Sequence, residues 1–502
     1  MILATFIAAA LSSAAATAPT PAPVPTLPVP SPAPTRSSFV GRPVGSPSPA
    51  PLPSVAALTN DQMGKIDQIA IQSLQNQAVG GISLAVVREG RVVYSRGYGL
   101  SSVELQQTMR DSSLFEIGSI TKEFTAAVVL SLVEDGRLTL DTPLAKFVPD
   151  FPRAKDITIR DLLSMRSGIP DYTDQAGFDK AAFTGTTPDA IVATVKQLPL
   201  DFDPGTQWEY SNTNYILLGM VIERAGGSSY VDQLFNKVVK PVNMLVTTYG
   251  NAGASSPDMT TGYILQGDRM RPDKPWDLDW AYSAGGLISN VLDLAAWDTA
   301  LLNGKVINDP DLRQMWSPTT LPDGTSVPYG FGWSIESLYG HREIDTNGGL
   351  PGYNGRNAAF PNDKFDVIVL GNSEAFDAGP IVRQIFAMFF PPTPAQIAGD
   401  QAGDSAAAAR SRSIFHQLQS GTLSASQLTP EAAKKLTASL QSQAKLQLGK
   451  LGAPLRFEQT DKYLLGTQTV YTYSVTFKQG AIGFVIALDA AGKVGSLTVE
   501  PI

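Results

Sequence analysis

LFEIGSITKEFTAAVVLSLVEDGRL, residues 114–138, places a serine and a lysine one helical turn apart at the start of an apolar segment. The pattern predicts a helix that begins near Ser119 and ends at Gly136. Lys122 lies three residues after the serine on the same helix face, so its amine can reach the serine oxygen. A serine hydroxyl is a poor nucleophile until a neighbour takes its proton, and a lysine whose pKa is lowered by burial can do so. The spacing therefore predicts a nucleophilic serine with a lysine as proton relay.

A second short motif, Tyr210 and Asn212 in YSN, follows the turn at Pro204-Gly205 and precedes an apolar helix. A phenol near a lysine can act as general base or acid, and an asparagine amide can bind both the lysine and a substrate carbonyl. Neither motif is specific alone, because Ser-x-x-Lys recurs at 442–445 and Tyr-x-Asn at 249–251. The Pro-Gly turn favours the copy at Tyr210.

A third segment, EIDTNGGLPGYNGR at 343–356, carries two consecutive glycines in a strand-like run. Glycine in a strand allows a substrate to approach the backbone closely. A backbone N–H group there, together with that of Ser119, would form an oxyanion hole with two donors.

In this order, the three segments resemble the serine β-lactamase-related family, which includes class C β-lactamases, D-Ala-D-Ala carboxypeptidases and family VIII-type esterases. The resemblance covers roughly residues 60–390 and includes GYGLSSVE, GRLTLDTPLAKFVPDFP, ITIRDLLSMRSGIPDY and YSAGGLISNVLDLAAW. It implies that Ser119 is the acylated nucleophile, with Lys122 as its proton relay. It also implies that Tyr210 is the general base and that Asn212 binds the substrate.

The family's third motif, Lys or His followed by Thr, Ser or Asn and then Gly, falls on Thr346, Asn347 and Gly348, and Gly349 would supply the oxyanion N–H group. In the family, the first residue is a cation that binds a substrate carboxylate and lowers the pKa of the tyrosine. Thr346 offers only a neutral hydroxyl. This departure favours neutral esters or amides over penicillins and D-Ala-D-Ala peptides, both of which carry a free carboxylate.

Composition excludes several other chemistries. The 502 residues contain no cysteine, which rules out disulfides, thiol catalysis and iron–sulfur clusters. The two histidines, His341 and His416, are too few for a multi-histidine metal site, and we expect no metal and no cofactor. His341 lies five residues from Thr346, an offset that points to the opposite face of a strand. The net charge of −8 argues against nucleic acid as a partner.

The chain divides into segments of different composition. Residues 1–18 read as a signal peptide ending in A-x-A, which predicts a secreted or periplasmic protein without an integral membrane span in the mature chain. The remaining segments are a Pro-rich linker at 19–55, the β-lactamase-related serine hydrolase domain at 56–390, a linker at 391–411 and a small α+β accessory domain at 412–502. The expected fold is α+β, with an antiparallel sheet flanked by helices and an all-helical insertion.

The sequence thus predicts a serine hydrolase that cleaves an ester or amide through a Ser119 acyl-enzyme. Carboxylesterase-like activity is favoured, and D-Ala-D-Ala carboxypeptidase or β-lactamase activity is the alternative. A non-catalytic, penicillin-binding-like or regulatory protein also stays open, because of Thr346 and the appended domain. The expected partner is a small ester, amide or peptide substrate, and the oligomeric state is left open.

Overall fold

A computed structural model describes residues 57–266, 269–465, 468–478, 480–489 and 491–501. The predicted signal peptide and Pro-rich linker lie outside these residues. Within the described ranges, none of the helices combines the length and the hydropathy that a membrane span needs.

Eighteen strands and sixteen α-helices make up the described fold. In chain order the strands are β1 (Gly81–Arg88), β2 (Arg91–Ser102), β3 (Gln107–Thr108), β4 (Phe115–Glu116), β5 (Thr248–Tyr249), β6 (Tyr263–Gln266), β7 (Arg269–Pro272), β8 (Leu287–Ser289), β9 (Thr319–Thr320), β10 (Ser326–Val327), β11 (Ser334–Leu338), β12 (His341–Leu350), β13 (Tyr353–Phe360), β14 (Phe365–Gly371), β15 (Arg456–Leu465), β16 (Gln468–Phe477), β17 (Gly480–Asp489) and β18 (Val494–Pro501). The helices are α1 (Asn60–Asn76), α2 (Thr121–Glu134), α3 (Ile159–Leu163), α4 (Phe178–Ala181), α5 (Pro188–Val195), α6 (Asn212–Gly226), α7 (Tyr230–Leu234), α8 (Lys240–Val242), α9 (Gly250–Gly253), α10 (Tyr282–Gly285), α11 (Val291–Leu302), α12 (Asp309–Met315), α13 (Gly379–Phe389), α14 (Pro394–Ser420), α15 (Pro430–Lys435) and α16 (Ala438–Leu448).

The main sheet is antiparallel and joins strands from both ends of the body in the order β11-β12-β13-β14-β1-β2-β3. Its interior strand β1 is apolar on both faces because helices cover both sides. Leu84 and Val86 belong to the core under α1 and α13, whereas Ala85 and Val87 belong to the core shared with the helical part. This alternation follows from the two-residue period of a strand. The predicted α+β fold is confirmed.

Helix α2 lies at the centre of the helical insertion and contacts α6 and α10. Eleven of its fourteen residues are buried, including the run from Phe124 to Leu130. A helix that is apolar all round is stable only inside a core, so packing holds its first turn rigidly. That turn carries the predicted nucleophile.

The C-terminal part is a four-stranded antiparallel sheet, β15-β16-β17-β18, whose one face packs on α14 and α16. Sequence analysis predicted a linker at 391–411, and in the structure this segment is largely helical, because α14 runs from Pro394 to Ser420 without a break. Thr393 and Gln396 form a capping box, and Pro394 occupies the first turn, where a missing N–H group costs nothing. The Ala-rich run that follows has high helix propensity. Strand β15 contacts α13 and β11, so this domain packs against the main body.

Candidate active site

Ser119 lies in the short 3₁₀ turn that leads into α2. Its Oγ accepts hydrogen bonds from the Nζ of Lys122, at 2.9 Å, and from the hydroxyl of Tyr210, at 3.0 Å. The tertiary fold therefore brings the phenol to the nucleophile across 91 residues of chain. The serine oxygen has one candidate proton acceptor and one candidate proton donor in direct contact.

Lys122 is fully buried, and its ammonium group has three hydrogen-bond acceptors. Besides Ser119 these are the Oδ1 of Asn212, at 2.8 Å, and the carbonyl oxygen of Ala284, at 2.9 Å. Burial lowers the pKa of Lys122 to about 7, against the opposing charge of Asp171. Near neutral pH a large fraction of the amine is unprotonated and can accept a proton.

Tyr210 packs edge-on against Tyr329, with ring centroids 6.4 Å apart. The Nζ of Lys122 lies 5.0 Å from the centroid of the Tyr210 ring. Burial raises the pKa of Tyr210 above its ordinary value, although the hydrogen bond to Ser119 acts in the opposite direction. The phenol is therefore protonated at neutral pH and acts as a hydrogen-bond donor.

Asn212 donates two hydrogen bonds to Asp171, a residue that the sequence analysis did not identify. Both the backbone N–H group and the Nδ2 of Asn212 donate to Oδ2 of Asp171, each at 2.9 Å. Asp171 also caps the turn that starts at Tyr172 by accepting from the backbone of Thr173. Burial raises the pKa of Asp171. Its segment, SGIPDY, belongs to the family resemblance, but no spacing within the sequence links it to Asn212.

Glycines allow β12 to lie directly against the nucleophile turn. A Cβ atom at Gly348 would stand 2.0 Å from the carbonyl oxygen of Ile117, and one at Gly118 would stand 2.7 Å from the carbonyl oxygen of Gly349. Gly118 also has a φ of +51°, which favours glycine. Strand β11 pairs only with the first half of β12, up to Asp345. Among the described strands, none covers the second half on that side, so this edge faces the site.

Thr346 and Asn347 occupy the position where the family resemblance places its third motif. The Thr346 side chain is buried, donates from Oγ1 to the carbonyl oxygen of Gly332 at 3.0 Å and contacts the carboxyl group of Glu123. Burial and the nearby Asp298 raise the pKa of Glu123 well above its ordinary value. Where the family resemblance implies a cation, this chain therefore has a neutral threonine beside the buried carboxyl group of Glu123.

Neither Arg356 on β13 nor His341 on β12 takes the place of that cation. Arg356 is buried and bound to carboxylates, with Nε 2.9 Å from Asp345 and NH2 3.2 Å from Glu343. His341 contacts Asp363 through Nδ1 at 3.0 Å and packs on Phe386, at the opposite end of β12 from the glycines. Neither side chain is available to bind a substrate carboxylate near the nucleophile.

The second copies of the short motifs lie outside this site. Ser442 is exposed on α16 and donates to the carbonyl oxygen of Ala438. Tyr249 packs on Tyr230, and Asn251 binds Asp277. In the part of the chain that the structure describes, no group of three or more His, Cys, Asp or Glu side chains is placed to hold a metal ion.

Comparisons with known proteins identify the family and the fold. The family model described as Beta-lactamase matches residues 66–386. Protein flp of Staphylococcus aureus (strain MW2) is 30% identical over 329 residues, which are 63% of this chain and 64% of that protein. The chain thus spans less than two thirds of that relative's length.

Two solved structures are similar in fold. A D-stereospecific amidohydrolase from Streptomyces sp. has a TM-score of 0.57 and 26% identity, and the match covers 66% of this chain and 99% of that one. The octameric penicillin-binding protein homologue from Pyrococcus abyssi has a TM-score of 0.61 and 21% identity, with 88% of this chain and 98% of that one covered. The second likeness of fold extends beyond the family segment into the C-terminal part.

Proposed function

The chain belongs to the β-lactamase family, and from that premise we propose that it is a serine hydrolase that cleaves an ester or amide bond through an acyl-enzyme on Ser119. One observation carries the proposal: the Oγ of Ser119 accepts hydrogen bonds from Lys122 and Tyr210 at 2.9 and 3.0 Å. A serine that serves only packing has no need of a buried lysine and a partly buried phenol on the same oxygen.

The contacts of Lys122 assign it the role of base. A neutral amine has two protons and one lone pair. Asn212 and Ala284 each offer an oxygen to the amine, so they accept the two protons and leave the lone pair directed at Ser119. With a pKa of about 7, Lys122 can take the serine proton as the oxygen attacks the carbonyl carbon.

Tyr210 is then the acid of acylation. Burial keeps it protonated, and its hydroxyl contacts the Ser119 oxygen that would be bonded to the acyl carbon, so it is close to a leaving oxygen or nitrogen on that carbon. As the bond to the leaving group breaks, the phenol transfers its proton to that group. In deacylation the phenolate takes a proton from water, the hydroxide attacks the acyl carbon, and Lys122 returns its proton to the departing serine oxygen. The family resemblance implies that Tyr210 is the general base. However, the pKa of Lys122 is lowered and that of Tyr210 is raised, which favours Lys122 as the base of the first step.

Neutral esters and amides are the proposed substrates. The N–H groups of Ser119 and Gly349 are the proposed donors to the oxyanion, because β12 and the nucleophile turn are in contact. Thr346 and the paired Arg356 provide no charge for a substrate carboxylate. Carboxylesterase-like activity is therefore favoured, and the likeness to an amidohydrolase supports amides as a second class. From residues 1–18 we further propose export from the cytoplasm.

Active-site labelling tests the proposal. We expect a fluorescent fluorophosphonate to label the wild type and not Ser119→Ala, whereas a fluorescent penicillin labels neither well. Ser442→Ala is the matched control, because it removes the serine of the other Ser-x-x-Lys copy, and it should label like the wild type. Serine-dependent penicillin labelling would favour the carboxypeptidase or β-lactamase alternative. Absence of any labelling would favour a non-catalytic binding protein.

A further inference from the structure

The active site opens into a cavity of about 940 Å³ that reaches the C-terminal domain. Lys122, Tyr210 and Asn347 are among the residues that line this cavity. Residues of β16 and β17 also line it, and they belong to the domain that sequence analysis left without a role. Ligand sites for small molecules span about 300–1,000 Å³, so this volume exceeds what a single ester group requires.

The strand period explains why the C-terminal sheet faces the cavity. On β16 and β17, Tyr473 and Phe484 belong to the core under α14 and α16. Their neighbours in sequence point to the opposite face of the sheet. That face, which we call the outer face, presents to the cavity the paired residues Thr472 and Val485, and Ser474 and Gly483. The small Gly483 opposite Ser474 leaves room along this wall.

Neutral polar groups form a further part of the cavity lining. Gln72 and Asn76 of helix α1 carry amides that can donate to and accept from peptide groups. The amide of Gln77, directly after α1, is instead bonded to the backbone of Asp377. Apolar side chains, Ile69 and Ile381, lie among them. A chain with alternating amide and apolar groups is complementary to such a lining.

The cavity offers little positive charge to an acidic ligand. The described lining residues include a single basic side chain, Lys122, whose hydrogen bonds are directed at Ser119, Asn212 and the carbonyl oxygen of Ala284. A substrate carboxylate therefore has no further cation to bind among these described residues.

We propose that the outer face of the C-terminal sheet forms the distal wall of the substrate site and selects extended, uncharged, peptide-like substrates. This inference rests on the proposed hydrolase function and names its substrate class. The accessory domain thereby acts in specificity, through contacts remote from the bond that is cleaved, and takes no part in the chemical step.

Filling the cavity tests this role. Ser474→Trp places a large side chain into it, and Thr476→Trp is the matched control, since Thr476 shares the strand and face of Ser474 but is not among the cavity-lining residues. Val485→Phe is a second, independent obstruction. One substrate is an N-acetylated, C-amidated six-residue depsipeptide with one central ester bond, followed by chromatography. The other is p-nitrophenyl acetate, which is too small to reach the outer face.

We expect Ser474→Trp and Val485→Phe to lower kcat/KM for the depsipeptide by about tenfold or more, and to leave that for p-nitrophenyl acetate within about twofold. Thr476→Trp should change neither. Unchanged depsipeptide hydrolysis in both obstructed variants would overturn the inference, as would an equal loss on both substrates. A wild type that cleaves neither substrate would instead contradict the proposed function.

Discussion

Replacing Asp171 by Asn should move the pH dependence of the reaction to lower pH. In the proposed mechanism, kcat/KM rises as Lys122 loses its proton, so the ascending limb lies near its pKa of about 7. The negative charge of Asp171 favours the ammonium form and raises that pKa. Removing the charge therefore lowers the pKa of Lys122, and the limb follows.

The size of this effect follows from the bridge between the two groups. The amide of Asn212 accepts from Lys122 at 2.8 Å and donates to Asp171 at 2.9 Å, which sets the two charges on the order of 8 Å apart. At an effective dielectric constant of about 20, unit charges at this separation interact by roughly 2 kcal/mol. The limb should move by about 1.5 pH units. The plateau should fall about tenfold, because Asn212 loses a charged hydrogen-bond partner.

The assay is kcat/KM for p-nitrophenyl acetate between pH 5 and 9, in wild type, Asp171→Asn and Asp174→Asn. Asp174 is an exposed carboxylate three residues further along, and its loss should leave the limb in place. A lower plateau with an unmoved limb would show that the limb does not report Lys122. A limb displaced to higher pH would refute the assignment of the charges.

Three further changes test other parts of the site. Gly348→Ala should lower kcat/KM on the order of a hundredfold and should also lower the Tm, as ester kinetics and a thermal melt would measure. The reason is that the new Cβ would stand 2.0 Å from the carbonyl oxygen of Ile117 and would displace β12. Thr346→Lys should raise the rate of nitrocefin hydrolysis, and the gain should be larger when it is combined with Glu123→Gln. The carboxyl group of Glu123 would otherwise pair with the new ammonium group. Equal gains with and without Glu123→Gln would contradict the contact between positions 346 and 123. Asp298→Asn should stabilise the protein more at pH 8 than at pH 5. Burial raises the pKa of Asp298 to about 7, so the folded state binds more protons than the unfolded state between the ordinary pKa and that value, and stability falls as pH rises through this window; Tm against pH checks the sign.

The features that the sequence determined by itself depend on residues that are close together along the chain. Lys122 lies three positions after Ser119, and the geometry of one turn brings their side chains together without help from the rest of the chain. The sequence also predicted that glycines in this strand allow close approach to the backbone. In the structure Gly348 lacks a side chain because β12 packs directly against the backbone of the nucleophile turn. The α+β fold followed from strand-like segments at both ends of a helical middle, and it is confirmed.

Only the tertiary structure decided which distant residues meet. Asp171 lies 41 residues from Asn212 and 49 from Lys122 along the chain, and no periodicity encodes a contact over such a separation. The same holds for the outer face of the C-terminal sheet, whose residues look like those of any half-buried strand until packing turns them toward the cavity. The helical conformation of the predicted linker at 391–411 has a related reason. Proline and glycine content favours an extended chain, whereas Pro394 lies in the first turn of a helix whose later residues are anchored by packing on a sheet. Backbone geometry acts within a few residues and can be read locally, but the free energy that joins remote segments comes from burial, which depends on the whole fold.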